Sequence, residues 1–297
     1  MSTQRILPEF VRTGLDSPIT RVALLLVGQR DGHYVGLGSG VLLGHLIAIT
    51  ARHVVDGFSQ YFEGANIEEL GGEGTFGLQA IHFVEGNYGL AWDVREVYLN
   101  RDPGFCDIVF LRLQAVSQKH LDNQGTKPRL QLLPPRLGQV VSAFGYHSTR
   151  IEVAGERVSI DTNPFTAAGR VLEIHDEKRD STRLSFPCFR TDARYDPGMS
   201  GGPVFNEVGY LCGIICSNMP PDSGDPEGGH ISYVSTLWPS MGILVSYDRA
   251  GYDHGVWYPA IELAQSGFIA ATDLDKVAVA YDAATGQMTV QSLREPL

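Results

Sequence analysis

Two thirds of the way along the 297-residue chain, a serine stands between glycines in Gly198-Met199-Ser200-Gly201-Gly202. Glycine opens backbone conformations that other residues rarely take, so such a run can present one hydroxyl and aim neighbouring N–H groups at a single point. That point is an anion site, and in acyl transfer it is where the oxyanion of the tetrahedral intermediate forms. Gly/Ser/Pro clusters are more often plain turns, so the run needs partners. A hydroxyl is a weak nucleophile at neutral pH and requires a histidine base, itself oriented by a carboxylate. His53 follows the apolar run Leu46-Ile47-Ala48-Ile49-Thr50-Ala51-Arg52, and Asp107 heads Ile108-Val109-Phe110-Leu111-Arg112-Leu113. Each alone means little: the chain has nine histidines, a carboxylate at a strand end is ordinarily just solvated, and Arg52 reads as a surface charge. Together they run in the order His, Asp, Ser.

The elements that must position these groups read as short apolar strands broken by glycine. In the first half they are Val22 to Val27, Tyr34 to Leu43, Leu46 to Thr50, Val94 to Leu99 and Asp107 to Leu113. The glycine-rich segment Glu63 to Gly89 lacks a strong pattern and reads as a long loop or hairpin. Residues 114 to 136, with Pro128, Pro134 and Pro135, read as a linker. A second series follows: Val140 to Tyr146, Ile151 to Ile160, Ala167 to Ile174, Leu184 to Arg190, Pro203 to Phe205, Gly209 to Cys216 and His230 to Thr236. Many short strands with turn signals predict an all-β barrel or sandwich. Trp257 to Gly267, with Pro259 early and Gly267 last, carries helix start and stop signals. Lys276 to Tyr281 and Gln287 to Gln291 alternate around a turn, a hairpin that either covers an exposed sheet edge or accepts a partner strand.

Composition bounds the function. A net charge of −11 argues against nucleic acid as a partner. The longest apolar stretch, Val35 to Thr50, contains His45 and is shorter than the roughly 20 residues of a membrane span. Residues 1 to 10 lack the apolar centre of a signal peptide, so no membrane association and a cytoplasmic location are expected. Cys212 and Cys216 share a predicted strand, which sets them about 13 Å apart, beyond disulfide reach. Reduced, buried thiols are the expectation for all four cysteines, Cys106 and Cys188 included. No spacing suggests a metal, and no cofactor is expected.

With these residues in this order, the sequence resembles the trypsin-like (chymotrypsin-fold) serine proteases over roughly residues 20 to 265. Thr191-Asp192-Ala193 followed by Pro197-Gly198 is similar to the HtrA-like branch. The resemblance implies two antiparallel six-stranded β-barrels with the active site in the groove between them, plus a C-terminal helix and a β-hairpin extension. Its boundaries are an N-terminal arm at 1–18, a first barrel at 19–125, a second barrel with closing helix at 126–267 and a hairpin extension at 268–297. It implies peptide-bond hydrolysis through an acyl-enzyme, with Ser200 as nucleophile, His53 as base and then acid, and Asp107 orienting His53. The N–H groups of Gly198 and Ser200 would form the oxyanion hole, and a protein or peptide would be the substrate. Cys216, Ser217 and Asn218 would pair with substrate backbone, beside the acidic loop 218 to 229. Arg194 falls near the base of the primary pocket and His230 on its wall; a cationic pocket would favour acidic side chains, whereas an Arg194 turned to solvent leaves a small apolar pocket. Met199 stands where cleavage-activated relatives carry an aspartate, so the ion-pair switch is absent and the site is either preformed or ordered by a substrate or an activating protein partner. Two rivals use the same residues differently: a catalytically silent fold that binds protein, and a scaffold whose C-terminal hairpin is the working part.

Overall fold

In the computed structural model, residues 10–44, 46–61, 77–85, 88–100, 102, 104–115, 117–122, 127–155, 157–219, 231–246, 256–282 and 287–293 are described. After a short edge strand β1 (Phe10–Arg12), six strands form a closed barrel: β2 (Ala23–Arg30), β3 (His33–Gly44), β4 (Ile47–Ala51), β5 (Leu78–Glu85), β6 (Tyr88–Tyr98) and β7 (Ile108–Gln114). Successive strand residues face opposite ways, which explains the unbroken apolar run of β2. Leu24 and Leu26 enter the core that holds Val41, Ile49, Trp92 and Phe110. Ala23, Leu25 and Val27 instead pack with Phe144 and Tyr146 from the second half of the chain. Both faces of β2 are therefore buried.

The second half contributes β8 (Leu130–Gln131), β9 (Val140–Ala154), β10 (Arg157–His175), β11 (Cys188–Thr191), β12 (Pro203–Asn206), β13 (Leu211–Met219) and β14 (Ile231–Ser235). Their ladders run β12-β9-β10-β11-β14-β13, and β13 pairs with β12 to return to the start. All six pairings are antiparallel. This is the two-barrel architecture that the resemblance implies. Next come β15 (Leu244–Ser246), β16 (Trp257–Pro259), the helix Ala260–Gln265, β17 (Ala271–Thr272), β18 (Val277–Asp282) and β19 (Gln287–Ser292).

Several elements differ from the sequence reading. β5 lies inside the segment read as a loop or hairpin, where it pairs with β6 and completes the six strands of the first barrel; residues 63–76, 86 and 87 of that segment fall outside the described residues. A helix, α1 (Arg52–Tyr61), begins right after β4. Val54, Val55 and Phe58 are buried on one face of it, the helical spacing that the preceding apolar strand obscures. Ile151 to Ile160 is the tip of the β9–β10 hairpin, not one strand, because the chain turns at Gly155 with φ of 63°. Trp257 to Pro259 is extended, so the later helix is short. The C-terminal hairpin β18–β19 pairs with no other strand among the described residues, and its Val277 and Val290 are buried in the main core, with Val290 packed at Gly242 of the turn Trp238–Gly242. The four cysteines are buried and unbridged.

Ser39 adds a set of hydrogen bonds across the two barrels. Ser39 of β3 donates its N–H to the Ser200 carbonyl at 2.7 Å and its hydroxyl to the Gly198 carbonyl at 3.0 Å. The same hydroxyl accepts the Tyr146 N–H of β9 at 2.9 Å, and Thr50 Oγ1 donates to the Ser39 carbonyl at 2.7 Å. Ser39 and Tyr146 are both buried. Replacing Ser39 by alanine leaves the buried Tyr146 N–H and the partly buried Gly198 carbonyl without this partner, so Ser39→Ala is expected to lower unfolding free energy by about 2 kcal/mol, read as a shifted urea midpoint.

Candidate active site

His53 is the second residue of α1, placed where β4 ends. Asp107 immediately precedes β7, and β4 and β7 are paired through Ala51 and Ile108. That pairing brings the two side chains together. His53 Nδ1 lies 2.9 Å from Asp107 Oδ2, and the His53 backbone N–H donates to Asp107 Oδ1 at 3.2 Å. The Arg52 N–H also donates to the Asp107 carbonyl at 2.9 Å. Because a carboxylate only accepts, Nδ1 carries the proton and Nε2 keeps its lone pair. The Asp107 side chain is 9% exposed, while the His53 side chain is 43% exposed, so the pair opens to solvent only on the histidine side.

The electrostatics follow from this placement. Packing around the His53 ring works against its charge, but the Asp107 carboxylate, through charge and hydrogen bond, and the more distant Asp56 outweigh it, and the pKa stands above the ordinary 6.5. Two thiols flank the carboxylate. Burial pushes Cys106 up to about 12, and burial together with Asp107 raises Cys216 well above its ordinary value. Neither thiol ionises near neutrality. Arg52, read from sequence as a surface charge, is partly buried: it donates to the Asn100 carbonyl at 2.8 Å and lies 3.5 Å from Asp56.

Ser200 comes to this wall through its backbone. A Cβ on Gly38 would lie 2.8 Å from the Ser200 carbonyl and 2.9 Å from Val54 Cγ1, so one bare glycine separates Ser200 from the residue after His53. The segment before Ser200 is a tight turn, with the Met199 N–H on the Asp196 carbonyl at 3.1 Å and Gly198 at φ of 92°. Proline followed by glycine with positive φ is the signature of a type II turn. Within 198–202, the N–H groups of Met199, Gly201 and Gly202 donate to the carbonyls of Asp196, Ile215 and Met199. Those of Gly198 and Ser200 have no acceptor among the described residues. Two neighbouring free donors beside a serine are what an oxyanion requires.

Met199 anchors the turn apolarly. It is fully buried in the second-barrel core with Tyr195, Val204 and Ile215, and its Cα, Cβ and Cγ would lie 2.6–2.8 Å from a Cβ on Gly145. Arg194 is 45% exposed and makes two 2.8 Å bonds to Asp196. Cys216 is buried beside Cys188 and Tyr233; Ser217 and Asn218 lie on β13, opposite Tyr233 and Ser232. His230 and most of the acidic loop fall outside the described residues. Sequence reasoning passed over Ser39 and His147, whose Nδ1 lies 2.9 Å from the Pro197 carbonyl. The Gly38-Ser39-Gly40 pattern was a usable signal for the first; for the second there was none. No group of metal-binding side chains occurs among the described residues, and no helix there is long and apolar enough to cross a membrane.

Comparison with known proteins gives the family. The family model of the trypsin-like peptidase domain matches residues 38–214, more than half of the chain. Similar solved structures include an inactive serine-to-alanine mutant of Rv3671c from M. tuberculosis, at 15% identity and a TM-score of 0.44, covering 75% of this chain and 84% of that one. Neuropsin from mouse brain gives 15% and 0.45, covering 76% and 92%. The MamO protease domain from Magnetospirillum magneticum gives 16% and 0.43, covering 74% and 93%. No curated protein matches. On the family match, the chain belongs to the trypsin-like peptidases.

Proposed function

We propose that the chain is a serine endopeptidase, with Ser200 as nucleophile, His53 as general base and Asp107 as the group that holds the imidazole. The observation that carries this reading is the selective freedom of the Gly198 and Ser200 N–H groups in a turn whose other donors are bonded. Ser200 Oγ attacks the scissile carbonyl, its proton passes to His53 Nε2, and the oxyanion takes the two free N–H groups. His53 then protonates the leaving amine. Water, deprotonated by the same nitrogen, hydrolyses the acyl-enzyme. The Asp107 carboxylate offsets the imidazolium charge. Substrate backbone would add along β13, which continues from its last pairing with β12 at Ile214 to Met219. With Arg194 bonded to Asp196, a small apolar primary pocket fits better than a cationic one. Four unbridged thiols fit a reducing compartment, which supports an intracellular setting.

A fluorophosphonate probe tests the nucleophile: intact protein is expected to be labelled at Ser200 and Ser200→Ala to give no labelled band. Labelling that persists in Ser200→Ala would exclude this assignment, and an unreactive wild type would favour a binding module.

The pH dependence has a definite sign. A base must be neutral, so kcat/KM should fall as pH drops through a His53 pKa above 6.5. The same shift stabilises the fold fully below about pH 6.5 and fades as pH rises through the raised value. Asp107→Asn removes the charge and the charged hydrogen bond of Asp107 and leaves packing, the largest influence, opposed only by Asp56, so the His53 pKa, followed by NMR, should drop below the ordinary value. The rate should fall by about 10³–10⁴. A His53 that titrates unchanged in that variant would contradict the pairing.

Met199 in place of an aspartate removes the partner that a newly released amine would need, so the site is proposed to be preformed. Freshly purified, uncut chain should label and hydrolyse without a lag. Activity that arises only once residues 1 to 20 are removed would rule this out.

A further inference from the structure

The orientation of one peptide plane decides whether the Gly198 N–H faces the cleft. In a type II turn the peptide between the two central residues, here Pro197–Gly198, is turned by about 180° relative to a type I turn of the same span. A trans peptide points its C=O and N–H in opposite directions. Whatever holds the Pro197 carbonyl therefore also fixes where the Gly198 N–H is aimed. Proline at the second position suits both turn types. Gly198 favours the positive φ of the type II form without excluding type I, so a contact outside the turn can hold the choice.

His147, just after Tyr146 on β9, supplies that hold. Its Nδ1 is 2.9 Å from the Pro197 carbonyl, and since a carbonyl only accepts, Nδ1 is the donor. The Ser148 hydroxyl lies 2.7 Å from Nε2 and supplies the hydrogen that this tautomer can accept. His147 is in turn braced by a stack that leads to the start of the described chain. Its ring meets the edge of Phe165 at 6.0 Å, and Phe165 stacks on Phe10 at 4.3 Å with an interplanar angle of 11°. The Arg194 guanidinium lies over Phe10 at 4.4 Å while bonded twice to Asp196, the first residue of the turn. Phe10 belongs to β1, which is zipped onto β10 at Phe165, Thr166 and Ala167. Through His147 at its central peptide and Arg194–Asp196 at its start, the turn is gripped twice, and both grips lead to Phe10, the second directly and the first through Phe165.

We propose that His147 and the edge strand carrying Phe10 are positioning elements that lock the Pro197–Gly198 peptide in the orientation presenting the Gly198 N–H to the cleft. The N-terminal strand thus serves this turn from outside the barrel, by stacking and strand pairing, where the buried Met199 leaves no ion pair to form. The proposal rests on the peptidase reading for its consequence but not for its geometry, and the two can be tested apart.

The sequence contains two Pro-Gly steps, at 103–104 and 197–198, so protein with carbonyl-¹³C proline and ¹⁵N glycine gives two amide cross-peaks in a carbonyl-filtered spectrum. In His147→Leu, which cannot donate, one cross-peak should shift, and fluorophosphonate labelling of Ser200 should slow by roughly 10- to 100-fold, approaching the loss of one oxyanion donor. On a peptide that the wild type cleaves, kcat should fall while KM holds. His147→Asn keeps an N–H donor at nearly the same place and should restore both the cross-peak and the rate. Phe10→Ala should shift the same peak in the same direction and slow labelling about 3- to 10-fold, the size of one lost contact. An unmoved cross-peak in His147→Leu overturns the proposal, as does a moved one with labelling at the wild-type rate, or an asparagine no better than leucine. A wild type that never labels counts against the peptidase reading alone, and the cross-peaks then still decide the positioning.

Discussion

The hydrogen bonds at Ser39 are the constraint on which the rest of the site depends. His53 and Asp107 are fixed within the first barrel by the β4–β7 ladder, and Ser200 rides on a turn of the second. Apolar packing of β2 against Phe144 and Tyr146 holds the two halves together, and the Ser39 bonds fix the Ser200 turn against β3. Serine fits because one short side chain both donates and accepts, giving to the Gly198 carbonyl and taking from the Tyr146 N–H, while its backbone N–H takes the Ser200 carbonyl. The fit is close: a Cβ on Gly201, whose φ is 83°, would lie 2.1 Å from the Ser39 carbonyl and 2.2 Å from Thr50 Oγ1. Any side chain at 201 would pry the turn from the strand.

Around that joint the protein separates two environments. Asp107 is enclosed, with His53 on its open side and two thiols that burial keeps protonated, so its charge acts mainly on the imidazole. In a water-poor setting such a charge acts at fuller strength than it would in solvent. The turn before Ser200 is held by apolar and aromatic contacts: Met199 in the core, Phe10 and Phe165 outside it. A carboxylate in the place of Met199 would need a cationic partner to be tolerated there. Apolar packing asks for none, which agrees with a turn already carrying its left-handed glycine and its two free N–H groups.

What the sequence disclosed depended on how local each signal was. His53, Asp107 and Ser200 stood out because their neighbours, a strand end, an apolar strand and a glycine run, are written in consecutive residues. An all-β barrel or sandwich followed from strand rhythm, and the two-barrel arrangement from the resemblance. β5 was lost because Leu78–Glu85 directly follows a glycine-rich stretch, and α1 because its buried face starts where β4's apolar run stops. Ser39 and His147 act through contacts 159 and 50 residues away in the chain, which no local pattern encodes. Arg194 shows the same limit: its proximity to Asp196 was visible, but its ring partner Phe10 lies at the other end of the chain.

The most direct test of the account is a crystal structure of the protein after reaction with a fluorophosphonate. The account predicts phosphorus bonded to Ser200 Oγ, with one phosphoryl oxygen about 3 Å from the N–H groups of both Gly198 and Ser200 and His53 still bonded to Asp107. An adduct whose oxygen turns away from those two donors, or a His53 ring that faces a different surface from Ser200, would contradict it.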